Sequence, residues 1–361
     1  MTETLTRGAG TRTGFHTLVV ADVQHLTDDA VAVTFDVPEE LRDLFDFDAG
    51  QSLTLRRVVD GAEHRRTYSI CSPVGSPPRI GVREIPGGLF SSWLVHQVKP
   101  GERIEVQPPS GSFRADPAAG GRHLCIAAGS GITPMLSIAA SVLDNPEAQV
   151  TLLYGNRTTT SVMFSEELAD LKDDHHGQFD LMHVLSREPR DVELFSGRLD
   201  ADRLRQLLTL LVPTPEMDHV WLCGPFGMLK DAREVLGELG VPAERVHFEL
   251  FYVDEPPPQL RHADRVVDGV TSDVTVTLEG RTSTTPMQRD QTILDSAQQV
   301  RSDLPFACKG GVCGTCRAKV CDGEVDMVRN YALEPDEVGR NFVLTCQTFP
   351  VSPEVTVDFD A

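Results

Sequence analysis

Four cysteines near the end of the 361-residue chain have a spacing that suits an iron–sulfur cluster. Cys308, Cys313 and Cys316 follow the pattern C-x4-C-x2-C, and Cys346 comes after 29 intervening residues. Four thiolates at this spacing ligate the two irons of a [2Fe-2S] cluster. The loop between the first three thiols also contains three glycines, which allow backbone N–H groups to approach inorganic sulfide. The pattern therefore predicts metal ligands at these four positions.

Two other interpretations of the cysteines stay open at this point, a zinc site and unliganded core thiols. Structural zinc sites usually pair two short C-x2-C hooks, whereas this chain has one, at Cys313 and Cys316. Cys321, five residues after the third thiol, is predicted to be a small buried hydrophobic residue on a strand.

A second group of residues suits an aromatic ligand that carries phosphate. It consists of two motifs, Arg66, Thr67, Tyr68 and Ser69 at the start of a predicted strand, and Gly88, Ser91 and Ser92 at a predicted helix start. A guanidinium grips a phosphate through two hydrogen bonds, and a helix N-terminus attracts a pyrophosphate. An arginine before a strand tyrosine is also a common surface pair, so this motif alone leaves both interpretations open.

A third group suits a dinucleotide. Its residues are Gly129, Gly131, Thr133 and Pro134, after the apolar run 123–128, and Cys223, Gly224 and Pro225, at the end of the apolar run 219–223. Glycines let the backbone approach a pyrophosphate, and a following helix favours its negative charge. Thr133 is predicted as the N-cap of that helix and Pro134 as its first residue. A structural glycine-rich turn is the alternative interpretation.

Taken together and in this order, the second and third groups are similar to the flavin and nicotinamide motifs of the ferredoxin-NADP reductase superfamily. Residues 273–361 resemble plant-type ferredoxins. The resemblance implies that Ser69 lies near flavin N5, that Cys223 positions the nicotinamide ring and that Phe251 stacks beside the flavin. FAD is expected rather than FMN, because Gly88, Ser91 and Ser92 offer a site for a pyrophosphate, which FMN lacks.

The choice of nicotinamide donor depends on two residues after the third strand of the nucleotide domain. Relatives specific for NADP place serine and arginine there, and this chain has Ser186 and Arg187, with Arg157 and Arg198 as further positive charges. An arginine suits the 2′-phosphate of NADPH, whereas a site for NAD more often presents a carboxylate to the ribose. NADPH is therefore favoured and NADH remains possible, the alternative being that Arg187 is a solvated loop residue.

The elements that must position these residues form three domains. Six short β-branched runs between residues 16 and 107 predict an antiparallel β-barrel flavin domain over 1–115. Apolar runs then alternate with helical patterns, which predicts a parallel α/β nicotinamide domain over 116–253. A proline-rich linker is expected at 254–272, followed by a ferredoxin domain at 273–361 with a hairpin and a helix over 292–300. The ferredoxin resemblance implies that this last domain is a β-grasp fold.

Composition and charge exclude several classes of partner. The chain has 33 Lys and Arg against 54 Asp and Glu, and its formal charge of −21 would be repelled by nucleic acid and by anionic membranes. The run 124–143 is uncharged but contains turn residues, so no membrane span is expected. Residues 1–3 show no leader pattern, and the expected location is the cytoplasm, where clustered cysteines bind metal more often than they form disulfides.

The whole domain order resembles oxygenase reductases. Four loop segments, 154–157, 161–164, 330–334 and 344–347, look like those of the reductase subunits of bacterial phenylacetyl-CoA epoxidases. This resemblance implies electron flow from NADPH through FAD and the cluster to the di-iron oxygenase component of an epoxidase with several subunits. The sequence does not predict a di-iron set of its own, which would need Glu-x-x-His motifs on two helices and a further Glu on each of two others. The alternatives are the reductase of another aromatic or steroid oxygenase, and a non-catalytic flavin and iron–sulfur redox sensor, which the intact nucleotide motifs disfavour.

Overall fold

The computed structural model describes residues 14–251, 270–301, 303–333 and 335–361. The N-terminal residues 1–3 and most of the expected linker, 254–269, lie outside this described part. The chain divides into two compact units between Phe248 and Glu249.

The first unit begins with six strands and a short helix. In chain order they are β1 (His16–Thr27), β2 (Ala30–Asp36), β3 (Ser52–Val59), β4 (Ala62–Ser69), β5 (Arg79–Arg83), α1 (Ser91–His96) and β6 (Arg103–Val106). The strands pair in the order β4-β3-β6-β1-β2-β5, and all pairs are antiparallel. A bridge between Ile70 and Ile80 joins the two ends of the sheet. The predicted antiparallel β-barrel is therefore confirmed.

Alternating apolar residues explain why these segments close into a barrel. Successive strand residues point to opposite faces, so one face of each strand can be apolar throughout. The buried set includes Leu18 and Val20 on β1, Leu53 and Leu55 on β3, and Ile80 and Val82 on β5.

The same unit continues with a parallel sheet. Its elements are β7 (Gly121–Ala128), α2 (Ile132–Val142), β8 (Ala148–Asn156), α3 (Ser165–Asp174), β9 (Phe179–Leu185), α4 (Ala201–Leu211), β10 (His219–Gly224), α5 (Phe226–Glu238) and β11 (Val246–Leu250). The strand order is β11-β10-β7-β8-β9, and the pairs β10-β7, β7-β8 and β8-β9 are parallel. The uncharged run 124–143 forms most of β7 and all of α2, and no helix among the described residues is long and apolar enough to span a membrane.

The barrel and the parallel sheet share one hydrophobic core. Ala32 and Phe113 of the barrel region belong to the same buried cluster as Ile138 of α2 and Trp221 of β10. Polar contacts cross the same boundary, since the buried Ser137 hydroxyl donates to the Ser72 carbonyl at 2.8 Å. The two cofactor domains therefore hold a fixed relative position within the first unit.

The second unit contains a five-stranded mixed sheet. Its elements are β12 (Thr271–Leu278), β13 (Arg281–Gln288), α6 (Ile293–Ala297), β14 (Arg317–Asp322), β15 (Val325–Met327), α7 (Pro335–Gly339), β16 (Phe342–Leu344), β17 (Thr348–Pro350) and β18 (Glu354–Asp358). The order is β13-β12-β18-β14-β16, with β12 and β18 parallel. The mixed sheet with its packed helix matches the β-grasp expectation. Helix α6 is shorter than the predicted 292–300. Thr292 precedes the helix as its N-cap, and Val300 lies exposed beyond its end.

Candidate functional site

The four predicted cluster ligands come together in the second unit as two pairs of thiols. Cys308 shares a hydrogen bond with Cys313, and Cys316 shares one with Cys346. The two pairs also interact electrostatically with each other, through Cys313 with Cys316 and through Cys308 with Cys346. The loop 308–316, here called the cluster loop, supplies three thiols, and the short turn after β16 supplies Cys346.

The thiol pairing stabilises one thiolate in each pair. The hydrogen bond from Cys313 and the backbone N–H groups of residues 310, 312 and 313 together lower the pKa of Cys308 to about 5, against the effect of burial. The same contact raises the pKa of Cys313. The Gly310 N–H donates to the Cys308 sulfur at 3.3 Å. In the other pair, the hydrogen bond from Cys316 lowers the pKa of Cys346. A ligand that must bind metal as a thiolate gains from this arrangement.

Glycine is required at two positions of the loop. Gly311 and Gly314 have φ values of +80° and +67°, and a Cβ on Gly311 would lie 3.3 Å from the Arg329 carbonyl oxygen.

Sequence reasoning missed Gln347, the side chain that fastens this loop. The Gln347 amide donates to the carbonyl oxygens of Lys309 at 2.9 Å and Cys346 at 2.8 Å, which ties the loop to the fourth thiol. The only sequence signal for this role of Gln347 is its position directly after Cys346.

The pairing of the thiols fits a two-iron cluster better than a single ion. Among the described residues, no group of three or more His, Cys, Asp and Glu side chains has the geometry to hold one metal ion. Two separate pairs of thiols instead match a [2Fe-2S] cluster, in which each iron takes two protein ligands. The donor set therefore fits the predicted cluster.

The prediction that Cys321 is buried is wrong. Its side chain is exposed. The pairing of β14 with β18 shifts register between Val320 and Asp322, so Cys321 is the extra residue of a bulge. A bulge breaks the in-and-out alternation on which the prediction relied.

The predicted flavin residues lie on β4 and at the start of α1. Tyr68 is paired with Leu53 across β3 and β4, packs against the barrel core, and has its pKa raised by burial. Arg66 is exposed, and one of its Nη atoms donates to the Arg65 carbonyl at 2.7 Å. Thr67 shares a hydrogen bond with Thr54 at 3.1 Å, and Ser69 at the end of the strand is buried.

The glycine–serine segment forms a tight turn ahead of α1. The Gly88 N–H donates to the Ile85 carbonyl at 2.7 Å, and a Cβ on Gly88 would lie 2.8 Å from that oxygen. The Ser91 hydroxyl is buried in this turn and accepts from the Ile85 N–H at 3.0 Å. Ser92 is partly exposed and bonds to the Glu84 carboxylate.

The dinucleotide motif lies between β7 and α2 and begins with a 3-10 turn at Gly129–Gly131. The prediction that Thr133 is an N-cap is wrong, as is that of Pro134 as the first helical residue. The 3-10 turn runs directly into the helix, which begins at Ile132 with Gly131 as its N-cap. Thr133 is instead buried, and its hydroxyl donates to the Ser130 carbonyl at 3.0 Å.

The end of β10 packs directly against this turn. A Cβ on Gly131 would lie 2.1 Å from the Cys223 carbonyl oxygen, so only glycine fits there. Gly224 is also crowded, because its Cβ would lie 2.6 Å from the Met228 methyl group. Cys223 is fully buried, and Pro225 forms the N-cap of α5. The structure thus brings the two halves of the predicted nicotinamide site together.

Sequence reasoning missed Tyr154, which supports the same turn from β8. Its ring is fully buried, and its hydroxyl donates to the Gly129 carbonyl at 3.0 Å. Burial raises the pKa of this hydroxyl to about 12, so it stays a donor at all physiological pH values.

The predicted phosphate residues follow β9 and meet the loop after β8. The Ser186 N–H donates to the Asn156 carbonyl at 2.9 Å, and the Arg187 N–H donates to the Arg157 carbonyl at 2.8 Å. The carboxyl ends of β7 to β10, with the loops 129–134, 157–161, 186–188 and 223–225, are here called the nucleotide edge. Ligands of parallel α/β sheets bind at such edges. Arg198 is exposed and lies outside these loops, and Phe251, which follows β11 directly, is also exposed.

Three family models match the chain domain by domain. Residues 17–115 match the oxidoreductase FAD-binding domain, residues 125–234 the oxidoreductase NAD-binding domain, and residues 276–351 the 2Fe-2S iron-sulfur cluster binding domain. FAD, a nicotinamide nucleotide and a [2Fe-2S] cluster are therefore its cofactors.

Relatives match over nearly the full length. One subunit of the 1,2-phenylacetyl-CoA epoxidase of Escherichia coli K12 is 44% identical over 97% of this chain and 99% of its own. The ferredoxin reductase component of the 3-ketosteroid-9-alpha-monooxygenase of Rhodococcus rhodochrous is 32% identical over 95% and 96%. The solved structure of phthalate dioxygenase reductase has the same fold, with a TM-score of 0.60 at 24% identity, covering 96% of this chain and 98% of that one.

These matches agree with the described geometry, in which four paired thiols occupy one unit and a nucleotide edge the other. The chain therefore belongs to the family of NAD(P)H-dependent oxidoreductases, with FAD-binding, NAD-binding and [2Fe-2S] domains, that includes this component of the Escherichia coli epoxidase and the ketosteroid monooxygenase reductase.

Proposed function

We propose that this protein is the NADPH-dependent reductase component of a phenylacetyl-CoA epoxidase and passes electrons through FAD and its [2Fe-2S] cluster to a di-iron oxygenase component. The observation that carries the proposal is the 44% identity with the Escherichia coli epoxidase component over 97% of the chain. The reaction is assigned to the cytoplasm, and the proposed domain limits are 1–115, 116–253 and 273–361.

The cluster ligands are assigned from the pairing of the thiols. Cys308 and Cys313 bind one iron, and Cys316 and Cys346 bind the other. Their support is the contact within each pair and the low pKa of one thiol in each. When bound, FAD accepts a hydride and releases electrons one at a time, which a [2Fe-2S] cluster carries singly.

The flavin residues orient the ring and its phosphates. Arg66 is free of carboxylate partners among the described residues and is assigned to a flavin phosphate. Tyr68 packs against the isoalloxazine with Thr67 beside it, and Ser69 donates a hydrogen bond near N5. The turn at Gly88, Ser91 and Ser92 positions backbone N–H groups at the start of α1 for the pyrophosphate.

The nucleotide edge holds the donor. Backbone groups of Gly129 and Gly131 approach its pyrophosphate, with Thr133 and Pro134 shaping the start of α2. Cys223, Gly224 and Pro225 position the nicotinamide ring. Ser186 and Arg187, with Arg157 beside them, bind the 2′-phosphate, which favours NADPH over NADH.

The reductase of a steroid oxygenase is a second candidate, because the ketosteroid monooxygenase component is 32% identical over 95% of this chain.

To test the proposal, the FAD- and cluster-loaded protein should be added to a purified di-iron epoxidase core, with NADPH and NADH in parallel. We expect epoxidation of phenylacetyl-CoA that depends on this chain and is faster with NADPH. Reduction of cytochrome c without epoxidation would reject the epoxidase as partner while leaving the reductase activity intact.

A further inference from the structure

Asp29 bridges the flavin barrel and the nucleotide edge. It lies in the turn between β1 and β2, and its Oδ2 accepts from Nη2 of Arg157 at 3.0 Å, in the loop after β8. Its Oδ1 lies 3.3 Å from Nε of Arg83 and accepts from the Thr27 hydroxyl at 2.8 Å. Partial burial raises its pKa, but the Thr27 hydrogen bond and the two arginines outweigh this and lower it, so the carboxylate is charged at neutral pH.

Both arginines stand at the nucleotide edge. Arg83 is at the end of β5, and one of its Nη atoms lies 3.2 Å from where a Cβ on Gly129 would be. Its other Nη atom donates to the Ser161 carbonyl at 2.5 Å. Arg157 is joined to Arg187 through the backbone hydrogen bond between the two loops. One carboxylate thus contacts two positively charged groups of this region.

The two arginines differ in how firmly they are placed. The side chain of Arg83 is 16% exposed, whereas that of Arg157 is 51% exposed. An exposed ion pair contributes little net free energy, so the Arg157 guanidinium can exchange a carboxylate for a stronger partner. The 2′-phosphate of NADPH is such a partner, because it carries more charge than a carboxylate and accepts two parallel hydrogen bonds, whereas Asp29 accepts one from Arg157.

We propose that Asp29 is a positioning residue that sets donor specificity, because its carboxylate competes with the 2′-phosphate of NADPH for Arg157. The inference rests on the proposed binding of that phosphate by Ser186, Arg187 and Arg157. NADH has a hydroxyl at this place and gains nothing from release of Arg157. Asp29 therefore restrains the preference for NADPH and leaves the use of NADH unchanged.

Two carboxylates in the same unit provide matched controls. Asp28 is the exposed neighbour in the same turn, so Asp28→Asn removes an equal charge from almost the same place. Glu167 of α3 also joins the two domains, by accepting from both Nη atoms of Arg79 at 2.8 Å. Arg79 lies at the opposite end of β5 from Arg83, so Glu167→Gln tests the loss of a domain-bridging pair away from Arg157.

The test measures KM and kcat for NADPH and NADH with the FAD-loaded holoprotein and ferricyanide, and Ki for 2′,5′-ADP and 5′-AMP. For Asp29→Asn we expect KM for NADPH and Ki for 2′,5′-ADP to fall about three- to tenfold, since Arg157 then binds the phosphate without first leaving a charged partner. KM for NADH, Ki for 5′-AMP and both kcat values should stay within about twofold, which is the range of screened surface effects. The two control variants should leave the ratio of the donors unchanged.

A double-mutant cycle with Arg157→Ala identifies the contact, because the effect of Asp29→Asn should vanish when Arg157 is absent. Equal shifts for both donors, weaker NADPH binding, or an effect that persists without Arg157 would overturn the inference. A different result would reject the proposed NADPH site on which this inference rests. In that case the wild-type protein has equal KM values for the two donors, and Arg187→Ala has no effect.

Discussion

The cluster loop and the nucleotide edge are built from different parts of the chain. The cluster loop presents side chains, because four thiols supply the bonds to metal and three of them lie within nine residues. The nucleotide edge presents mainly backbone, through the glycines at 129, 131 and 224, and draws its side chains from several strand ends. One site therefore depends on a few irreplaceable atoms, and the other on the packing of elements that meet there.

This difference predicts how each site fails. Loss of one thiolate leaves an iron with only one of its two protein ligands, so the cluster site fails completely. Loss of one contact at the nucleotide edge leaves the others in place, so binding weakens by steps of a few kcal/mol at most. Substitutions in the cluster loop should therefore abolish electron transfer through the cluster, whereas substitutions at the nucleotide edge should weaken donor binding.

The largest effect is expected from Cys313→Ser. This variant should lose the visible absorbance of the cluster and its cytochrome c reduction, because its iron lacks a thiolate. Reduction of ferricyanide by the flavin should be retained, as it needs only the first unit. The matched control is Cys321→Ser, since Cys321 is exposed and lies outside the thiol pairs. Equal retention of both activities in Cys313→Ser would contradict a linear path through the cluster.

A smaller but still large effect is expected from Gly131→Ala. The new Cβ would lie 2.1 Å from the Cys223 carbonyl oxygen, so the turn and the end of β10 must separate. We expect a loss of about 1–3 kcal/mol of stability and at least about a tenfold lower kcat/KM for NADPH, with FAD still bound. Gly227→Ala in α5 is the control, because its Cβ would meet no atom within 4 Å. Unchanged kinetics in Gly131→Ala would show that the turn tolerates displacement.

An intermediate effect is expected from Arg187→Ala. Removal of one guanidinium from the 2′-phosphate site should raise KM for NADPH about tenfold, since a hydrogen bond to a charged group contributes about 1.5–3 kcal/mol and this side chain is exposed. KM for NADH should stay nearly constant. Lys99→Ala, in an exposed turn of the barrel, removes the same charge elsewhere and should change neither value. Parallel rises for both donors would assign Arg187 to a general role in folding.

The contrast between side-chain and backbone sites also explains which site residues could be predicted from the sequence. The four thiols were predicted because ligand type and short spacing are both local, and the glycine motifs because they flank strand and helix patterns. Asp29 and Arg157 are 128 residues apart and meet only when the barrel packs on the parallel sheet. No local pattern marks such a pair.

The wrong predictions have the same origin. Thr133 has the residue type of an N-cap, but the preceding 3-10 turn extends the helix start to Ile132. Cys321 lies in an apolar strand pattern, but a bulge paired with β18 turns it outward. In both cases a neighbouring element decided the local geometry.

The response to acid also distinguishes the two units. Burial lowers the pKa of His123, His183 and His247 in the first unit. The His123 ring is neutral, since Nδ1 accepts from the Trp221 indole at 3.2 Å and Nε2 contacts the Gly120 carbonyl at 2.9 Å. The sequence contains no histidine after residue 262, so the second unit lacks such groups over its described part.

A histidine whose folded pKa lies below its unfolded value stabilises the fold above that unfolded value, and this stability is lost as the pH falls through the folded pKa. From pH 7.5 to 5.5 the free energy of unfolding of the first unit should therefore fall by about 1–3 kcal/mol. In the second unit, hydrogen bonds lower the pKa of Asp303 and Asp360. In the cluster-loaded protein, which is the form measured, the four thiols are held as iron ligands and do not titrate in this range.

The measurement follows fluorescence of the two tryptophans, both in the first unit, during urea unfolding at each pH. Hydrogen exchange of β12 and β18, corrected for its intrinsic pH dependence, reports on the second unit. His123→Phe should reduce the pH dependence of the first unit, because it removes the buried base, whereas His25→Gln on the exposed side of β1 should not. If both units lost stability equally between pH 7.5 and 5.5, buried neutral histidines would not be the cause.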